Sequence, residues 1–500
     1  MVSRSRFAWF IRSILAVTLS VALICIATVS AFAATLVQLS NDPYTNTTSQ
    51  HKTEVEPDTY SFGSTIVSAF QVGRFTDGGS SNIGFATSTN NGGSWTNGFL
   101  PGITKIVNPA NPYDRVSDPS VAFDASHNTW LIASLAITGT SVLGAAVIVN
   151  RSTDGGLTWS NPVTIHAASG TQNLDKDWIV CDDTSTSSFF GHCYVEWDDN
   201  GNGNLVQMST STNGGTSWGT PQTTANSATV IGGQPLVQPN GTVIVPIENA
   251  NETALLAFTS TNGGASWNST ITVASIRHHT DAGNIRSGSL PTAEIDGAGK
   301  VFVVWSDSRF ESGGRANDLV MVASTNGTTW SAVSRIPADP RNSGVDHFIP
   351  GLAVDKGTSG STAHLVVVFY YYPVSNCGSS CQLFVGSSSS TNGGASWTAR
   401  ASVTTTAINL LWLPNTTQGR MVGDYISTSF AGGSAFPVFA NATVPDTNVD
   451  CSIATPTCHE FASTVAPGLL LAQSGAIAMT DSVVDTSPLI KGGGPAVTYR

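Results

Sequence analysis

Ionisable side chains are scarce in this sequence, so the segments where they gather indicate where chemistry can occur. Charged residues make up only 11% of the chain. At the end of an apolar run, Arg309 can bind a carboxylate through two hydrogen bonds, or it can pair with nearby Asp307. Glu196 and Glu294 lie within predicted strands, where burial would raise the pKa of a glutamate and suit it to proton transfer.

An arginine and a tyrosine lie close together late in the chain, at Arg420 and Tyr425. A phenol with an ordinary pKa near 10 needs a neighbouring base or cation before it can act as a nucleophile at neutral pH. Arg420 could supply that charge. The alternative interpretation is that Tyr425 begins an inner strand and fills the core.

One segment contains residues of the types that bind calcium. Asp198, Asn200 and Asn202 resemble the opening of a calcium loop, with Gly203 in the sixth place, but the twelfth place is not a glutamate. A polar hairpin turn is the simpler interpretation. We therefore expect no cofactor, with calcium at this loop as the alternative.

The cysteines predict disulfides and hence an oxidising compartment. Six of the seven lie beyond the first 34 residues, and they fall into three close pairs. We expect disulfides within the pairs Cys181 and Cys193, Cys377 and Cys381, and Cys451 and Cys458. Metal binding by the 377–381 loop is the alternative, but no further His or Cys pair completes a tetrahedral site.

The first 34 residues form a separate segment. Arg4, Arg6 and Arg12 precede an apolar run over 13–34 that ends in a small-x-small sequence. This is typical of a signal peptide over residues 1–33, with an uncleaved membrane anchor as the alternative, so the remainder is predicted to be secreted or at the cell surface. Because three of the 21 basic residues lie in this segment, the remainder carries 18 basic and 33 acidic side chains. This balance argues against nucleic acid or an anionic membrane surface as a partner.

One motif organises the rest of the chain. The template S-x-[D/N]-x-G-x-x-W occurs in five complete copies and a sixth that is one residue short, 49 to 66 residues apart, which is the spacing of propeller blades. Its polar side chains can bond the backbone of a tight turn, its glycine accepts positive φ, and its tryptophan can fold back as an apolar plug. The defining residues are Ser88, Asn90 and Trp95; Ser152, Asp154 and Trp159; Ser211 and Trp218; Ser260 and Trp267; Ser324 and Trp330; and Ser390 and Trp397.

Strand-like runs flank each copy and predict a four-stranded antiparallel blade. Very apolar runs, such as 130–137, indicate buried central strands, and the motif joins the third strand to the fourth. After the last copy come three strands without a fourth, whereas 36–40 is a strand without a blade; pairing them would close the ring and remove exposed edges. We therefore predict an all-β propeller over 35–470, closed by the N-terminal strand and followed by a tail over 471–500. Seven blades are preferred, with six as the alternative.

The repeated turn resembles the Asp-box, or bacterial neuraminidase repeat, and the chain is similar to the sialidase-like superfamily over essentially its whole mature length. The resemblance implies that the boxes are structural and lie opposite the active site. Sialidases bind the substrate carboxylate with three arginines, use a tyrosine activated by a glutamate as nucleophile, and use an aspartate as acid/base. This chain departs from the family, because five boxes carry Asn where Asp is preferred. In addition, its only Arg-Ile-Pro motif, at 335–337, follows the fifth box instead of standing near the start of the domain.

The strand order assigns the loops to two faces. Turns after the first and third strands, including the boxes, share one face, whereas the other turns share the opposite face and contain most of the charges. We predict the site on that charged face, although loops also hold charges simply because strands exclude them. The candidates are Tyr425 as nucleophile, Asp118, Glu196 and Glu294 as further catalytic residues, and Arg74, Arg115, Arg286, Arg309 and Arg420 for substrate binding.

These features predict an exported propeller that acts on carbohydrate, and a glycoside hydrolase of exo-α-sialidase type if it is an enzyme. The alternative is a non-catalytic module that presents the same rim to glycans or to a protein. We expect a monomer whose partner is a glycan or glycoconjugate. Contact with a membrane is expected only through an uncleaved N-terminal segment.

Overall fold

The protein is almost entirely β-structure. The computed structural model describes residues 35–139, 141–447, 450–451, 457–471 and 476–484. Within these ranges no helix is long and apolar enough to cross a membrane. The predicted signal peptide lies outside the described residues. The helices in the described ranges are single 3-10 turns at Asn200–Asn202, Gly360–Thr362, Gly378–Ser380 and Leu410–Trp412.

Strands that follow one another along the chain pair antiparallel into small sheets. The chain begins with β1 (Thr35–Gln38), and the next sheet is β2 (Glu54–Phe62), β3 (Thr65–Arg74), β4 (Ser80–Ser88) and β5 (Thr96–Phe99). A single pair, Ser80 of β4 opposite Val116 of β6, joins this sheet to β6 (Arg115–Asp124), β7 (Thr129–Thr138), β8 (Leu143–Ser152) and β9 (Val163–Ala167). The sheet after that is β10 (Leu174–Cys181), β11 (Cys193–Asp199) and β12 (Leu205–Ser211).

The second half of the chain continues this pattern. One sheet contains β13 (Val230–Ile231), β14 (Leu236–Val237), β15 (Val243–Asn249), β16 (Ala254–Ser260) and β17 (Ile271–Ser275). The next contains β18 (Thr292–Ile295), β19 (Val301–Asp307), β20 (Asp318–Ser324) and β21 (Val333–Ile336). Then come β22 (Asp346–Val354), β23 (Leu365–Tyr372), β24 (Gln382–Ser390), β25 (Ser396–Trp397), β26 (Ala401–Ser402) and β27 (Ile408–Asn409). The last strands are β28 (Asn415–Thr416), β29 (Gly419–Arg420), β30 (Ser427–Ala431), β31 (Ser434–Ala442), β32 (Glu460–Ala466), β33 (Ile477–Ala478) and β34 (Ser482–Val483).

The N-terminal strand joins the C-terminal end of the fold. β1 pairs antiparallel with β32, with Thr35 opposite Ala466 and Gln38 opposite Ser463. The innermost strands of successive sheets also contact one another, from β2 through β6, β10, β14, β18 and β22 to β30, which contacts β2 again. The fold is an all-β propeller with at least five blades, and the propeller prediction is confirmed at that level.

The hydrophobic core lies between neighbouring sheets. Val67 of β3 packs in one cluster with Ile132 of β7. On the other side of the same sheet, Leu135 of β7 packs in a second cluster with Val195 of β11. The core is therefore a series of separate interfaces, each of which holds two adjacent sheets together.

Each Asp-box turn is stabilised by its own side chains. In the first copy, the Ser88 hydroxyl accepts a hydrogen bond from Gly92 N–H (2.9 Å) and donates to Asn90, whose amide oxygen accepts from Ser94 N–H (2.9 Å). The other complete copies repeat this arrangement. In the short copy, Gly327 N–H donates to the Ser324 hydroxyl (2.9 Å).

The central glycine of a box lies directly against the preceding sheet. A Cβ added at Gly264 would stand 2.3 Å from Thr210 Oγ1, and one added at Gly156 would stand 2.6 Å from a side chain of β3. At Gly92 it would stand 2.1 Å from the ring of Phe436, which belongs to β31. The boxes therefore set the distance between neighbouring sheets, and the first box does so against the last sheet.

The three predicted disulfides are confirmed, and they agree with an oxidising compartment. One of them joins directly opposed residues of β10 and β11. Among the described residues there is no group of His, Cys, Asp and Glu side chains that could hold a metal ion. The pairs are Cys181–Cys193, Cys377–Cys381 and Cys451–Cys458.

Part of the predicted C-terminal tail pairs with the propeller. β33 pairs with β25, and β34 pairs with β21. β21 is the last strand of its blade in chain order, and its outer edge would otherwise present unpaired backbone groups. Short segments within 471–500 therefore act as edge strands, which the Gly- and Ala-rich composition did not indicate.

Replacing Gly264 by alanine should destabilise the fold more than replacing Gly155. Both have a positive φ, +81° and +85°, but nothing lies within 4 Å of a Cβ at Gly155, whereas a Cβ at Gly264 meets Thr210. We expect Gly155→Ala to lower the free energy of unfolding by about 1 kcal/mol through backbone strain, and Gly264→Ala to lower it by about 2–4 kcal/mol. Urea unfolding measures both values. Equal losses would contradict a role of the box glycine in spacing the sheets.

Candidate functional site

The innermost strands surround a channel whose two ends differ in chemistry. The backbone N–H of Asn91, in the first Asp-box, donates to the carbonyl of Ser64 (2.8 Å), in the turn that follows β2. Turns after first strands therefore share a face with the boxes. The opposite end of the channel is formed by the starts of the innermost strands, where the sequence placed the charged loops.

A cluster of buried charges lies at the channel end away from the Asp-boxes. Arg286 donates to both carboxylate oxygens of Asp424, through Nε (2.6 Å) and through a terminal nitrogen. Lys176 Nζ donates to the same carboxylate (2.7 Å), and lies 3.6 Å from Asp118 and 4.0 Å from Glu56. These five side chains are at most 6% exposed, and we call them the charged cluster.

Irregular backbone places three of these side chains. Glu56, Asp118 and Lys176 have φ of +53°, +47° and +48°, and each lies at a register shift of an innermost strand. A bulge of this kind leaves a residue outside the ladder, in a conformation that costs about 1–3 kcal/mol. The surrounding contacts must therefore hold these residues in place.

Burial and charge act in opposite directions on the pKa values of the cluster. Burial raises the pKa of Glu56 to about 8, although Lys176 opposes this. Burial would also raise the pKa of Asp424, but Arg286 and Lys176 more than offset it and hold that pKa below its ordinary range. The cluster therefore contains an ionised Lys176–Asp424–Arg286 group beside a Glu56 that is largely protonated at neutral pH.

Two of the five predicted arginines lie at this end of the channel. Arg286 belongs to the charged cluster. Arg74 is 2% exposed and donates to the carbonyl of Gly79 (2.8 Å). Its pKa is lowered by burial and by the neighbouring Arg286.

The other three predicted arginines are paired elsewhere. Each of their guanidinium groups meets a carboxylate of its own chain, and none of the three arginines lines the small cavity beside the charged cluster. Arg115 lies 2.6 Å from Asp77, Arg309 lies 2.8 Å from Asp307, and Arg420 lies 2.7 Å from Asp450.

Tyr425 lies beside the charged cluster in surroundings that suppress its ionisation. Its hydroxyl donates to the carbonyl of Pro119 (3.1 Å), and its ring meets that of Trp178 edge to face, with centroids 5.1 Å apart. Burial and neighbouring carboxylates, Glu56 first among them, raise the pKa of Tyr425 well above 10. In this setting the phenol is a buried hydrogen-bond donor whose ionisation is disfavoured.

The charged cluster leaves almost no room for a ligand. The cavity beside it has a volume of about 20 Å³, whereas sites for small molecules occupy about 300–1,000 Å³. A sugar ring could enter only if the cluster opened.

A much larger cavity, of about 490 Å³, occupies the channel at the Asp-box end. Trp178 lines this cavity and also touches Tyr425, whose ring lies 5.5 Å from Lys176 Nζ. Trp178 and Tyr425 therefore lie between the cavity and the charged cluster. We call this larger cavity the channel cavity. Its wall includes Asp58, Thr59, Trp178, Asp183, Glu294 and Lys356.

Three carboxyl groups reach the channel cavity from three sheets. Burial raises the pKa of Asp58 and of Glu294 to about 7, and that of Asp183 to about 6. The exposed Lys356 donates to the hydroxyl of Tyr60 (2.8 Å), which donates to Asp183 (2.9 Å). Of these residues, only Glu294 was predicted from the sequence. The residues next to Asp58 and Asp183 in the sequence do not indicate that these side chains face the channel.

The two predicted strand glutamates lie in different surroundings. Glu294 is half-buried and lines the channel cavity. Glu196 of β11 is fully buried opposite Trp178, and the backbone of Gly233 lies next to its carboxyl group. Burial raises its pKa well above the ordinary value, so Glu196 is a core side chain whose ionisation is disfavoured.

The side chains of the predicted calcium loop do not face one centre. Asn200 donates to Asp175 (2.8 Å), and Asn202 donates to Asp199 (2.6 Å). Asp198 is buried, and burial raises its pKa well above the ordinary value. The segment is a turn between β11 and β12.

The repeat region matches a known family model. Residues 144–349, which contain four of the six boxes, match the model described as BNR repeat-like domain. The model covers less than half of the chain, and the match supports a sialidase-like BNR repeat in this range. The Asp-box resemblance is thereby confirmed.

Solved structures similar to this Asp-box propeller include two sialidases and a protein of unknown function. Hadza microbial sialidase Hz136 has 15% identity and a TM-score of 0.44, and the chain spans 64% of that protein, with 64% of its own length covered. A leech intramolecular trans-sialidase complexed with 2,7-anhydro-Neu5Ac has 11% identity and a TM-score of 0.45, over 73% of this chain and 70% of that one. The protein from Dyadobacter fermentans has 14% identity and a TM-score of 0.44, over 71% and 98%. No curated protein matches the sequence.

Replacing Glu56 by glutamine should weaken the pH dependence of stability. The pKa of Glu56 is raised from an ordinary 4.5 to about 8, so between these values the folded state keeps a proton that the unfolded state releases. The free energy of unfolding therefore falls as the pH rises through that window. We expect the parent to lose about 1–3 kcal/mol between about pH 5 and about pH 8, and Glu56→Gln to lose less. Urea unfolding at both pH values measures the difference.

Asp154→Asn is the matched control. Hydrogen bonds from Thr158, Ser152 and Leu157 lower the pKa of Asp154 to about 2. Asp154 is therefore ionised at both pH values, and its replacement should change stability equally at the two. If the free energy of unfolding of Glu56→Gln fell with pH as steeply as that of the parent, the assignment of a proton to Glu56 would be contradicted.

Proposed function

We propose that the mature chain, residues 34–500, is an exported propeller that binds carbohydrate in the channel cavity. The observation that carries this proposal is the cavity itself, with a volume of about 490 Å³ at the convergence of the innermost strands. The ring of Trp178 offers an apolar surface to a sugar ring, and the carboxyl group of the half-buried Glu294 can accept hydrogen bonds from sugar hydroxyls. The sialidase-like character of the repeat is consistent with a glycan ligand.

A second candidate is hydrolysis of a sialoside at the charged face. It would use Tyr425 as nucleophile and Asp118 as acid/base, with Arg74 and Arg286 binding the carboxylate. Its support is that these four side chains lie at the same end of the channel. Binding is favoured over hydrolysis because Asp424 already occupies Arg286, because the pKa of Tyr425 is raised, and because the adjoining space is about 20 Å³.

We further propose that the ring has seven blades, the last of them completed by β1. The support is the closed order of contacts among β2, β6, β10, β14, β18, β22 and β30, together with the contact of the first box with Phe436. Export is supported by the disulfides and by the leader-like sequence over 1–33.

A glycan array followed by calorimetry of the mature chain tests binding. We expect Glu294→Gln to weaken the affinity for the glycan that binds by at least about tenfold, which is roughly 1.4 kcal/mol. Glu311→Gln makes the same change on the charged face, where the carboxylate accepts from the backbone N–H of Asn342 (2.8 Å) and lies next to Asp318, and it should leave affinity unchanged. Affinity that survives both Glu294→Gln and Lys356→Ala would rule out the channel cavity as the site.

Fluorogenic sialosides separate binding from hydrolysis. The purified chain should release no more product than its Tyr425→Phe variant, because the hydroxyl of Tyr425 is engaged with the carbonyl of Pro119. The substitution should lower the free energy of unfolding by about 1 kcal/mol through loss of that hydrogen bond. Turnover that disappears in Tyr425→Phe would instead establish the second candidate.

A further inference from the structure

We infer that the channel cavity selects a sugar that carries a free amino group. This inference rests on the proposed function and adds the chemical class of the ligand. The amine preference follows from the charges in the cavity wall and from the position of Lys356, whose ammonium group lies among the wall's carboxyl groups.

Carboxyl groups outnumber cations in the wall. Four of the five acidic residues accept a backbone N–H of the chain: Asp296 from Lys300 (2.9 Å), Asp355 from Gly357 (2.9 Å), Asp58 from Val121 (2.7 Å) and Asp183 from Ala125 (2.9 Å). A carboxylate has about four acceptor positions, so these bonds leave room for a ligand, and the described lining residues include one cation, Lys356. Carboxylates taken out of water need an opposite charge or hydrogen-bond donors, and an ammonium group supplies both.

Lys356 indicates how an ammonium group is received here. Its Nζ donates to Tyr60, which in turn donates to Asp183, and its charge lowers the pKa of both Asp183 and Glu294 against the effect of burial. One ammonium group thus serves two carboxyl groups from different sheets. A second ammonium, brought by the ligand, would meet the remaining negative charge of Asp58 and Glu294.

The same charges disfavour the other sugars that fit by size. An acidic sugar would place its carboxylate among three carboxyl groups, with no arginine in the described lining. An N-acetylated sugar has the same ring but carries no positive charge. The difference in affinity between an amino sugar and its N-acetyl derivative is therefore the most direct test of the amine preference.

Protonation should accompany binding. Burial raises the pKa of Asp58 and Glu294 to about 7 and that of Asp183 to about 6, so these groups are partly protonated near neutrality. An ammonium ligand favours their ionised forms, so its affinity should rise between about pH 5.5 and about pH 7. The titratable and charged groups that line the cavity are Asp58, Tyr60, Asp183, Glu294, Asp296, Asp355 and Lys356.

Calorimetry of the mature chain with glucosamine oligosaccharides tests the inference. The fully deacetylated oligosaccharide should bind at least about tenfold more tightly than the fully N-acetylated one of the same length, and a sialylated oligosaccharide should bind most weakly. Lys356→Ala removes the competing ammonium from an exposed position, so it should tighten binding of the amine several-fold. Lys105→Ala removes an exposed lysine that pairs with Asp114 on the charged face (2.9 Å), and it should change nothing.

The outcomes separate this inference from the proposed function. Equal affinity for the amine and the acetyl form, weakened by Glu294→Gln, would overturn the amine preference and leave carbohydrate binding in the cavity intact. Tighter binding of the acidic sugar, lost in Lys356→Ala, would also overturn it. Binding of any of these sugars that is insensitive to both Glu294→Gln and Lys356→Ala, or no binding at all, would overturn the proposed function itself.

Discussion

The close approach of neighbouring sheets at the Asp-box glycines is the constraint on which the rest of the structure depends. A side chain at Gly264 would collide with β12, and one at Gly92 would collide with Phe436 of β31. The second contact brings the first sheet against the last, where β1 also pairs with β32. Because the same spacing between sheets is repeated around the fold, the innermost strands surround a common channel. The Asp-boxes lie at one end of this channel and the charged cluster lies at the other.

The two ends of the channel differ in how their buried charges are paired. In the charged cluster the charges meet opposite charges and pack closely, whereas in the channel cavity the carboxyl groups outnumber the cations. At one end, Asp424 satisfies both Arg286 and Lys176 and leaves about 20 Å³. At the other end, the wall of a cavity of about 490 Å³ contains five acidic residues and, among the described lining residues, one cation, Lys356. The end with more visible charge is therefore the less suited to bind a ligand, since paired buried ions are costly to separate.

Local patterns in the sequence were sufficient for the repeat, the three disulfides and the partner of the N-terminal strand, because each depends on residues close in sequence or on one unpaired strand. They were not sufficient for the site. Asp58, Asp183 and Lys356 come from three sheets, and only closure of the ring brings them together. The five predicted arginines have similar sequence surroundings, yet their carboxylate partners are set by long-range packing. The sequence did contain one signal for Glu56, a residue of the charged cluster that was not predicted. Glu56 and Asp118 each precede a proline in an innermost strand, so this shared pattern would have placed Glu56 beside Asp118.

The most direct measurement is a crystal structure of the mature chain with a glucosamine oligosaccharide bound. Density for a sugar in the channel, with its amino group within hydrogen-bonding distance of Asp58 or Glu294 and its ring against Trp178, is the result we expect. Sugar density beside Arg74 and Arg286 instead, with the Arg286–Asp424 pair opened to admit it, would contradict the assignment of the two ends of the channel.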